Sequence, residues 1–330
     1  MRWYLAFLAL ALLATANAGA PVPPAPANRA GDRDFVDLAA LSRTNGFRFS
    51  WDRASRDVVL TNNSTRLVFT ANARQLELNG VKVFLSVPVV ARGTNALISR
   101  LDLRTLLQPL LHPARNKPGR KVRVIALDPG HGGKDKGYDT GERQEKHHTL
   151  LLASRLRALL QTEGFKVVLT RSGDTFVDLE KRPALAQRNR ADLFISLHYN
   201  SAGNGNATAT ANGVETYCVT PAGATSTNAR QDENSSTKAV PGNMQNARSV
   251  LLAYEIHRAI LNRLEVEDRG LRRARFAVFR AAEMPAVLIE GGFLSDRDEG
   301  RELAGSERRR DLAQAIAEAV LAYKRLVERP

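Results

Sequence analysis

The sequence has almost no cysteine, few aromatic residues and no long apolar run beyond its N-terminus. Cys218 is the only cysteine among 330 residues, which excludes an intrachain disulfide framework. No later apolar stretch approaches the roughly 18 residues that span a bilayer, so we expect no transmembrane segment in the mature chain. Aromatic residues make up 6%, and the basic residues are scattered rather than interleaved with rings. This pattern argues against nucleic acid as a partner.

What the chain does have is positive charge and a typical export signal. Lys and Arg number 48 against 34 Asp and Glu, so the net charge is +14 and we expect the protein to attract polyanions such as nucleic acid, acidic lipid or an acidic cell-envelope polymer. Arg2, an apolar core over residues 5–14 and Ala16-Asn17-Ala18 match a cleaved signal peptide. We therefore predict a signal peptide over residues 1–18 and export to the periplasm, with the outside of the cell as the alternative.

Composition divides the exported chain into several parts. Residues 19–32 are rich in Pro and Ala and are predicted to be an extended linker. Residues 33–115 contain short strand patterns separated by Asn- and Gly-rich turns, and Asn79-Gly80 is a hairpin signal. We predict a small β-rich α+β domain there, followed by a polar hinge over residues 116–120.

Residues 121–330 are predicted to form an α/β domain. Its apolar strand patterns alternate with helical patterns, which is typical of a mostly parallel or mixed sheet. Residues 221–246 have almost no bulky apolar side chain, so we expect a flexible insertion there. The same polarity argues against a helical plug over an active site.

Two histidines follow apolar strands of this domain. His131 lies in the Gly-rich loop Asp128-Pro-Gly-His-Gly-Gly133, and His198 ends the strand Leu193-Phe-Ile-Ser-Leu197. The loop lacks the Gly-Lys-Ser/Thr and third-Gly spacings of phosphate- and dinucleotide-binding loops. Because ligands bind at the carboxyl ends of strands, the two imidazoles are candidate ligands of one metal.

A catalytic zinc commonly takes three protein ligands, so a third is expected. Glu145 begins the helix that follows the Gly-rich loop, where the helix dipole favours a carboxylate. His147 and His148 lie within one turn and compete for this role. At most one of them could join, because consecutive helical positions point in different directions.

Glu290 ends the apolar strand Pro285-Ala-Val-Leu-Ile289 and precedes Gly291-Gly292. A carboxylate that ends a buried strand is costly unless it is paired or functional, and partial burial suits it to proton transfer at neutral pH. A structural ion pair with an arginine is the alternative interpretation.

Several blocks in the second domain resemble the zinc-dependent N-acetylmuramoyl-L-alanine amidases of the bacterial cell wall. They are Val-Ile-Ala-Leu-Asp-Pro-Gly-His-Gly-Gly (124–133), Glu145-Lys146, Leu169-Thr-Arg171, Arg182, Ala191-Asp-Leu-Phe-Ile-Ser-Leu-His-Tyr-Asn200, Gly213-Val-Glu215, Arg269-Gly270 and Met284-Pro-Ala-Val-Leu-Ile-Glu-Gly-Gly-Phe-Leu-Ser295. The earlier domain resembles the N-terminal domain of copper amine oxidases in Val36-Asp-Leu-Ala-Ala-Leu41, Gly46-Phe47, Ser50-Trp-Asp52, Leu78-Asn-Gly80 and Pro88. That second resemblance suggests a stalk for spacing or binding and no chemistry.

The amidase resemblance implies a three-layer αβα domain and a complete site. His131, Glu145 and His198 would bind one Zn²⁺, and Glu290 would be the catalytic carboxylate. It also implies peptidoglycan as the substrate, hydrolysis of the bond between N-acetylmuramic acid and L-alanine, and an envelope activator protein as a candidate partner. Tyr199 stands where the family usually has a small residue, and Gly291 where Leu or Ile is more usual.

Two other functions compete with this one. The basic surface and the small domain would suit a non-catalytic protein that binds a cell-wall polymer. A different zinc peptidase or deacetylase acting on the wall would use the same metal chemistry. The presence of His131, Glu145, His198 and Glu290 together favours an enzyme over a degenerate binder.

Overall fold

The computed structural model describes residues 34–52, 54, 56–202, 211–227 and 237–328. The predicted signal peptide and Pro/Ala-rich linker therefore lie outside the described residues. Within the described ranges, no helix combines the length and apolar composition needed to cross a bilayer.

The N-terminal part is a small β-rich unit, as predicted. Its elements are β1 (Phe35–Asp37), α1 (Leu38–Thr44), β2 (Arg48–Asp52), β3 (Asp57–Thr61), β4 (Arg66–Thr70), β5 (Gln75–Leu78), β6 (Val81–Phe84), β7 (Val90–Arg92), β8 (Asn95–Ser99), α2 (Arg100–Asp102), a π-helical turn (Leu103–Leu107) and α3 (Gln108–Leu111). Strands β2 to β6 form an antiparallel meander. Asn79 and Gly80 both have positive φ, so the predicted hairpin turn is confirmed.

The rest of the chain alternates strands and helices. Its elements are β9 (Val124–Pro129), α4 (Glu145–Thr162), β10 (Lys166–Leu169), α5 (Lys181–Arg188), β11 (Leu193–Asn200), β12 (Val214–Val219), a 3-10 helix (Pro241–Gln245), α6 (Asn246–Arg263), β13 (Asp268–Ala274), α7 (Ala277–Arg280), β14 (Ala286–Phe293), α8 (Arg297–Ala304) and α9 (Ser306–Glu328). The predicted mixed α/β class is confirmed.

Helices cover both faces of the sheet. Alternate strand residues point to opposite faces, and here they enter two different apolar clusters. Ile125 and Ile195 pack with residues of α4, α6 and α9, whereas Ala126 and Phe194 pack with residues of α5 and α7. The three layers agree with the resemblance. The carboxyl ends of β9, β11 and β14, which are parallel neighbours, meet at one edge between these layers.

One sheet runs through both parts of the chain. Its strand order is β10-β9-β11-β14-β12-β13-β6-β5-β4-β3-β2. The two parts join where β6 pairs with β13, with Val83 opposite Leu271. Lys82 strengthens this junction, because its backbone N–H donates to Asp268 Oδ2 at 2.7 Å and its Nζ to the Asp268 carbonyl at 2.6 Å. No pattern in the sequence predicted that the small domain would extend the larger sheet.

Arg273 is a second connection between the two parts. Its side chain is buried, and its guanidinium donates to the carbonyl of Thr105 at 2.8 Å, the carbonyl of Val219 at 3.1 Å and Asn246 Oδ1 at 2.9 Å. Asn246 Nδ2 also donates to the carbonyl of Thr105 at 2.7 Å. The end of the small domain is therefore fixed to β13 and α6 by buried polar contacts.

Arg275 holds the two described ends of the predicted insertion. Its Nη1 donates to the carbonyl of Lys238 at 2.7 Å, and its Nη2 to those of Pro221 at 3.2 Å and Ala224 at 3.4 Å. These ends are docked on the domain. Residues 228–236 lie outside the described part of the chain, so for them the expected flexibility stays a prediction.

We expect the two parts to unfold together. Trp51 is the only tryptophan after the predicted signal peptide and lies in the small unit, so its fluorescence reports that part. Most helical residues lie in the larger part, so far-UV circular dichroism reports that one. In urea the two transitions should coincide for the wild type.

The variant Arg273→Met should separate the two unfolding transitions and lower the free energy of unfolding by about 1 to 3 kcal/mol, because buried acceptors lose their donor. The exposed Arg157→Met on α4 is the matched control and should change stability by less than about 0.5 kcal/mol. Separate wild-type transitions would contradict the shared sheet as a source of cooperativity.

Candidate metal centre

The loop after β9 has a backbone that only particular residues allow. A Cβ at Gly130 would lie 2.3 Å from His198 Cε1, and a Cβ at Gly137 would lie 2.4 Å from Glu145 Oε2. His131 itself has a φ of 61°, in the left-handed region that non-glycine residues seldom adopt. The two glycines therefore let the loop approach His198 and Glu145 closely enough for three side chains to meet.

Those three side chains form one cluster. Glu145 is the first residue of α4, and its Oε1 lies 3.0 Å from His131 Nε2 and 3.0 Å from His198 Nδ1. The ligand atoms all lie within 4.8 Å of one another. The structure thus brings together the residues that the sequence singled out as a candidate metal site.

The environment of Glu145 favours its charged form. Burial would raise its pKa, but the hydrogen bonds and charges of His131 and His198 outweigh this and hold the pKa well below its usual range. The backbone N–H groups of Tyr138 and Tyr199 each donate to this carboxylate at 3.1 Å. The carboxylate is therefore fixed in position and available as an anionic ligand.

Asp135 orients His131 from the side away from the cluster. Its Oδ1 lies 2.9 Å from His131 Nδ1 and accepts the backbone N–H of Gly137 at 3.1 Å. Burial opposes protonation of His131, but Glu145 and Asp135 outweigh it and raise the pKa of His131. A carboxylate behind a metal-binding imidazole is a frequent arrangement. Asp135 was not among the site residues predicted from the sequence, although its position four residues after His131 in the loop was a usable signal.

His147 and His148, the competing candidates, lie apart from the cluster. His147 is exposed, and His148 is buried with no hydrogen-bond partner for Nδ1 among the described residues. Burial, together with the charges of His147, Arg309 and Arg143, lowers the pKa of His148 to about 4. Of the three candidates on α4, only Glu145 reaches both His131 and His198.

Glu290 lies on β14, the strand next to the one that carries His198. It is opposite His198 in the parallel pair of β14 with β11, and opposite Glu215 in the antiparallel pair of β14 with β12. Directly paired residues on neighbouring strands share a face of the sheet. Glu290 therefore stands on the His198 side of the sheet edge, where a proton-transfer group would need to be.

The side chains of Asp128 and Arg182 hold the loop after β9 in place. Asp128 is fully buried and accepts from Arg182 Nη1 at 2.8 Å, Thr170 Oγ1 at 2.6 Å and Ser196 Oγ at 2.8 Å. Arg182 also donates through Nη2 to the carbonyl of His131 at 3.0 Å. The sequence included Arg182 only as a motif position, and its contact with His131 shows that it positions the loop.

Tyr199 and Gly291, the two positions at which the sequence departs from the amidase motifs, lie close to each other. Tyr199 is buried on β11, and a Cβ at Gly291 would lie 3.1 Å from its Cε1 and 2.7 Å from Leu312 Cδ2. The ring of Tyr199 therefore occupies part of the space that a side chain at position 291 would need. The large residue at one position accounts for the glycine at the other.

Comparison with known proteins supports the same interpretation. The family described as N-acetylmuramoyl-L-alanine amidase matches residues 125–322, and the Copper amine oxidase N-terminal domain matches residues 17–103. The chain belongs to the N-acetylmuramoyl-L-alanine amidase family. Both resemblances seen in the sequence are thus confirmed, and the chain is an enzyme of the amidase type.

Individual amidases are similar over the same region. The N-acetylmuramoyl-L-alanine amidase AmiA of Escherichia coli (strain K12) is 33% identical over 253 residues, which cover 70% of this chain and 86% of AmiA. AmiC of Neisseria meningitidis is 35% identical over 233 residues, 64% of this chain and 55% of AmiC. Among solved structures, the amidase AmiC2 of Nostoc punctiforme has 33% identity and a TM-score of 0.50, covering 62% of this chain and 98% of that one.

We predict that Gly291→Leu destabilises this amidase through overpacking, by about 1 to 3 kcal/mol, and that Tyr199→Ala leaves a cavity. The double variant should be more stable than the sum of the two losses predicts, because the leucine enters the space that the ring leaves. Urea unfolding of the wild type, both single variants and the double variant gives the coupling energy, expected to be about 1 kcal/mol or more. Additive losses would mean that the two positions do not share this space.

Proposed function

We propose that this amidase hydrolyses the bond between N-acetylmuramic acid and L-alanine in peptidoglycan, with one Zn²⁺ held by His131, Glu145 and His198. The observation that carries the proposal is the position of Glu145 Oε1, 3.0 Å from a ring nitrogen of each histidine. The family match from residue 125 to 322 supports the choice of substrate and bond.

The donor set suits zinc. Two imidazole nitrogens and one carboxylate oxygen are common ligands of a catalytic zinc, which keeps a further position open. The two imidazole nitrogens each lie 3.0 Å from Glu145 Oε1, so His131, Glu145 and His198 are close enough together to hold one ion if zinc is bound. Asp135, behind His131, adds the outer carboxylate that such sites frequently have.

Glu290 is the group that we assign to proton transfer. When bound, Zn²⁺ polarises the scissile carbonyl and lowers the pKa of water in the site. Glu290 accepts the proton of the attacking water and later delivers it to the nitrogen of L-alanine, so the C–N bond breaks with the amine neutral. The lactyl carbonyl carbon keeps the hydroxyl of the attacking water, and the proton that this carboxylic acid then loses passes to the released amine, so the products are a carboxylate and an ammonium. Cleavage therefore consumes one water and needs no other co-reactant.

Export and partners are part of the same proposal. Peptidoglycan lies outside the cytoplasmic membrane, which agrees with the signal-peptide pattern over residues 1–18 and the positive net charge. We propose a periplasmic location and an envelope activator as a candidate partner. The competing functions, a wall-binding protein and a different wall hydrolase, predict different products in the experiment below.

Purified peptidoglycan incubated with the mature protein should release stem peptides that begin with L-alanine, identified by mass spectrometry. Glu290→Gln should lower kcat by about 100-fold or more, because the proton carrier is lost. The exposed Glu283→Gln, seven residues earlier, is the matched control and should leave kcat unchanged. Cleavage elsewhere in the stem would favour the other hydrolases, and binding without release would favour a wall-binding protein.

Metal content tests the ligand assignment independently of turnover. The mature wild type is expected to retain about one zinc per chain after dialysis, measured by mass spectrometry of the metal. His198→Ala should lose most of it, because two ligands remain. His147→Ala, which changes a histidine outside the cluster, should retain it. Equal metal loss in both variants would contradict the assignment.

A further inference from the structure

A buried carboxylate, Glu215, lies two strands away from His198 at the same level of the sheet. Glu290 on β14 is opposite both His198 on β11 and Glu215 on β12. Neighbouring strands are about 4.8 Å apart, so the backbone at Glu215 is roughly 10 Å from that at His198. A row of polar residues therefore extends from the candidate metal centre along the sheet edge toward β13.

Glu215 is held by four donors. Its Oε1 lies 3.2 Å from Arg269 Nε and 3.2 Å from Arg272 Nε, and its Oε2 accepts from Asn200 Nδ2 at 3.1 Å and Tyr217 OH at 2.7 Å. Only 5% of Glu215 is exposed. Two arginines thus contact the one carboxylate of Glu215.

Arg269 and Arg272 differ in how many of their N–H groups are already donated to other protein atoms. Arg272 is mostly buried, and it also donates to the carbonyls of Arg269 at 3.0 Å and Thr227 at 3.2 Å. Arg269 is one-third exposed and lies over the ring of Phe293 at 4.9 Å. Among the described residues, its only other hydrogen bond is a long one of 3.5 Å from Nη1 to the carbonyl of Asn212.

We propose that Arg269 binds a carboxylate of the stem peptide during cleavage, and this rests on the proposed function. Glu215 and Phe293 fix the orientation of the guanidinium, while its outer edge keeps N–H donors that match a carboxylate. The guanidinium of Arg269 contacts Glu215, whose backbone is roughly 10 Å from that at His198. An extended peptide advances about 3.4 Å per residue, so this distance corresponds to a group within the first three stem residues. Arg269 is therefore a specificity residue for the stem peptide, and Glu215 is a positioning residue.

The test compares two matched substrates. One is a muramoyl peptide whose second residue, γ-linked D-glutamate, has a free α-carboxylate, and the other has the primary amide there. For the wild type, KM should be about 10- to 100-fold lower for the acid, because a charge-assisted pair is lost in the amide. Arg269→Gln should raise KM for the acid to that for the amide and leave kcat and zinc content unchanged. Arg269→Lys should recover part of the preference, and Arg157→Gln is the control.

Binding of the product peptides separates this proposal from the proposed function. Calorimetry with the free acid peptide and its amide measures recognition without any cleavage, and the acid should bind wild type at least tenfold more tightly. Absence of cleavage with this preference intact would overturn only the proposed bond. Equal binding of acid and amide by wild type, or a preference that persists in Arg269→Gln, would overturn the role of Arg269. Because the acid and amide peptides are compared on the wild type, this measurement tests the proposal even if a variant does not fold.

Discussion

The candidate site depends on the burial of one carboxylate, Glu145, between two imidazoles. A buried carboxylate is stable only when hydrogen bonds and opposite charges replace its water. Here two backbone N–H groups, from Tyr138 and Tyr199, and the N-terminus of α4 supply part of that compensation. His131 and His198 supply the rest, which places a ring nitrogen of each 3.0 Å from Glu145 Oε1. The same contacts thus stabilise the Glu145 carboxylate and bring the three candidate metal ligands together.

Much of this arrangement could be predicted from local sequence signals. Residues that end apolar strands meet at one edge of a parallel sheet, which is why His131, His198 and Glu290 could be singled out. The helix start made Glu145 a candidate in competition with His147 and His148, and the family resemblance was needed to choose among them. The support of the loop could not be predicted in this way, because Asp128 pairs with Arg182 across 54 residues of sequence and no periodicity marks that contact.

The pairing of β6 with β13, which joins the small domain to the larger sheet, also could not be predicted from any local sequence pattern. A strand at the edge of a small domain shows the same alternation whether its outer side faces solvent or another strand. Val83 meets Leu271 through a single register position, and Lys82 reaches Asp268 across 186 residues. What the sequence did show was a composition change at residues 116–120, which says where the chain passes between units but not how they pack.

The junction of β6 with β13 also contacts Arg272, one of the two arginines at the end of the polar row. Phe84, the last residue of β6, lies under the guanidinium of Arg272 at 4.2 Å, and a Cβ at Gly270 would lie 2.7 Å from its ring. Arg272 in turn shares Glu215 with Arg269. An aromatic side chain of the small domain therefore supports the charged end of the polar row. Because Gly270 is the residue that allows this approach, the small domain contributes to the position of the arginines at the end of the polar row as well as to the shared sheet.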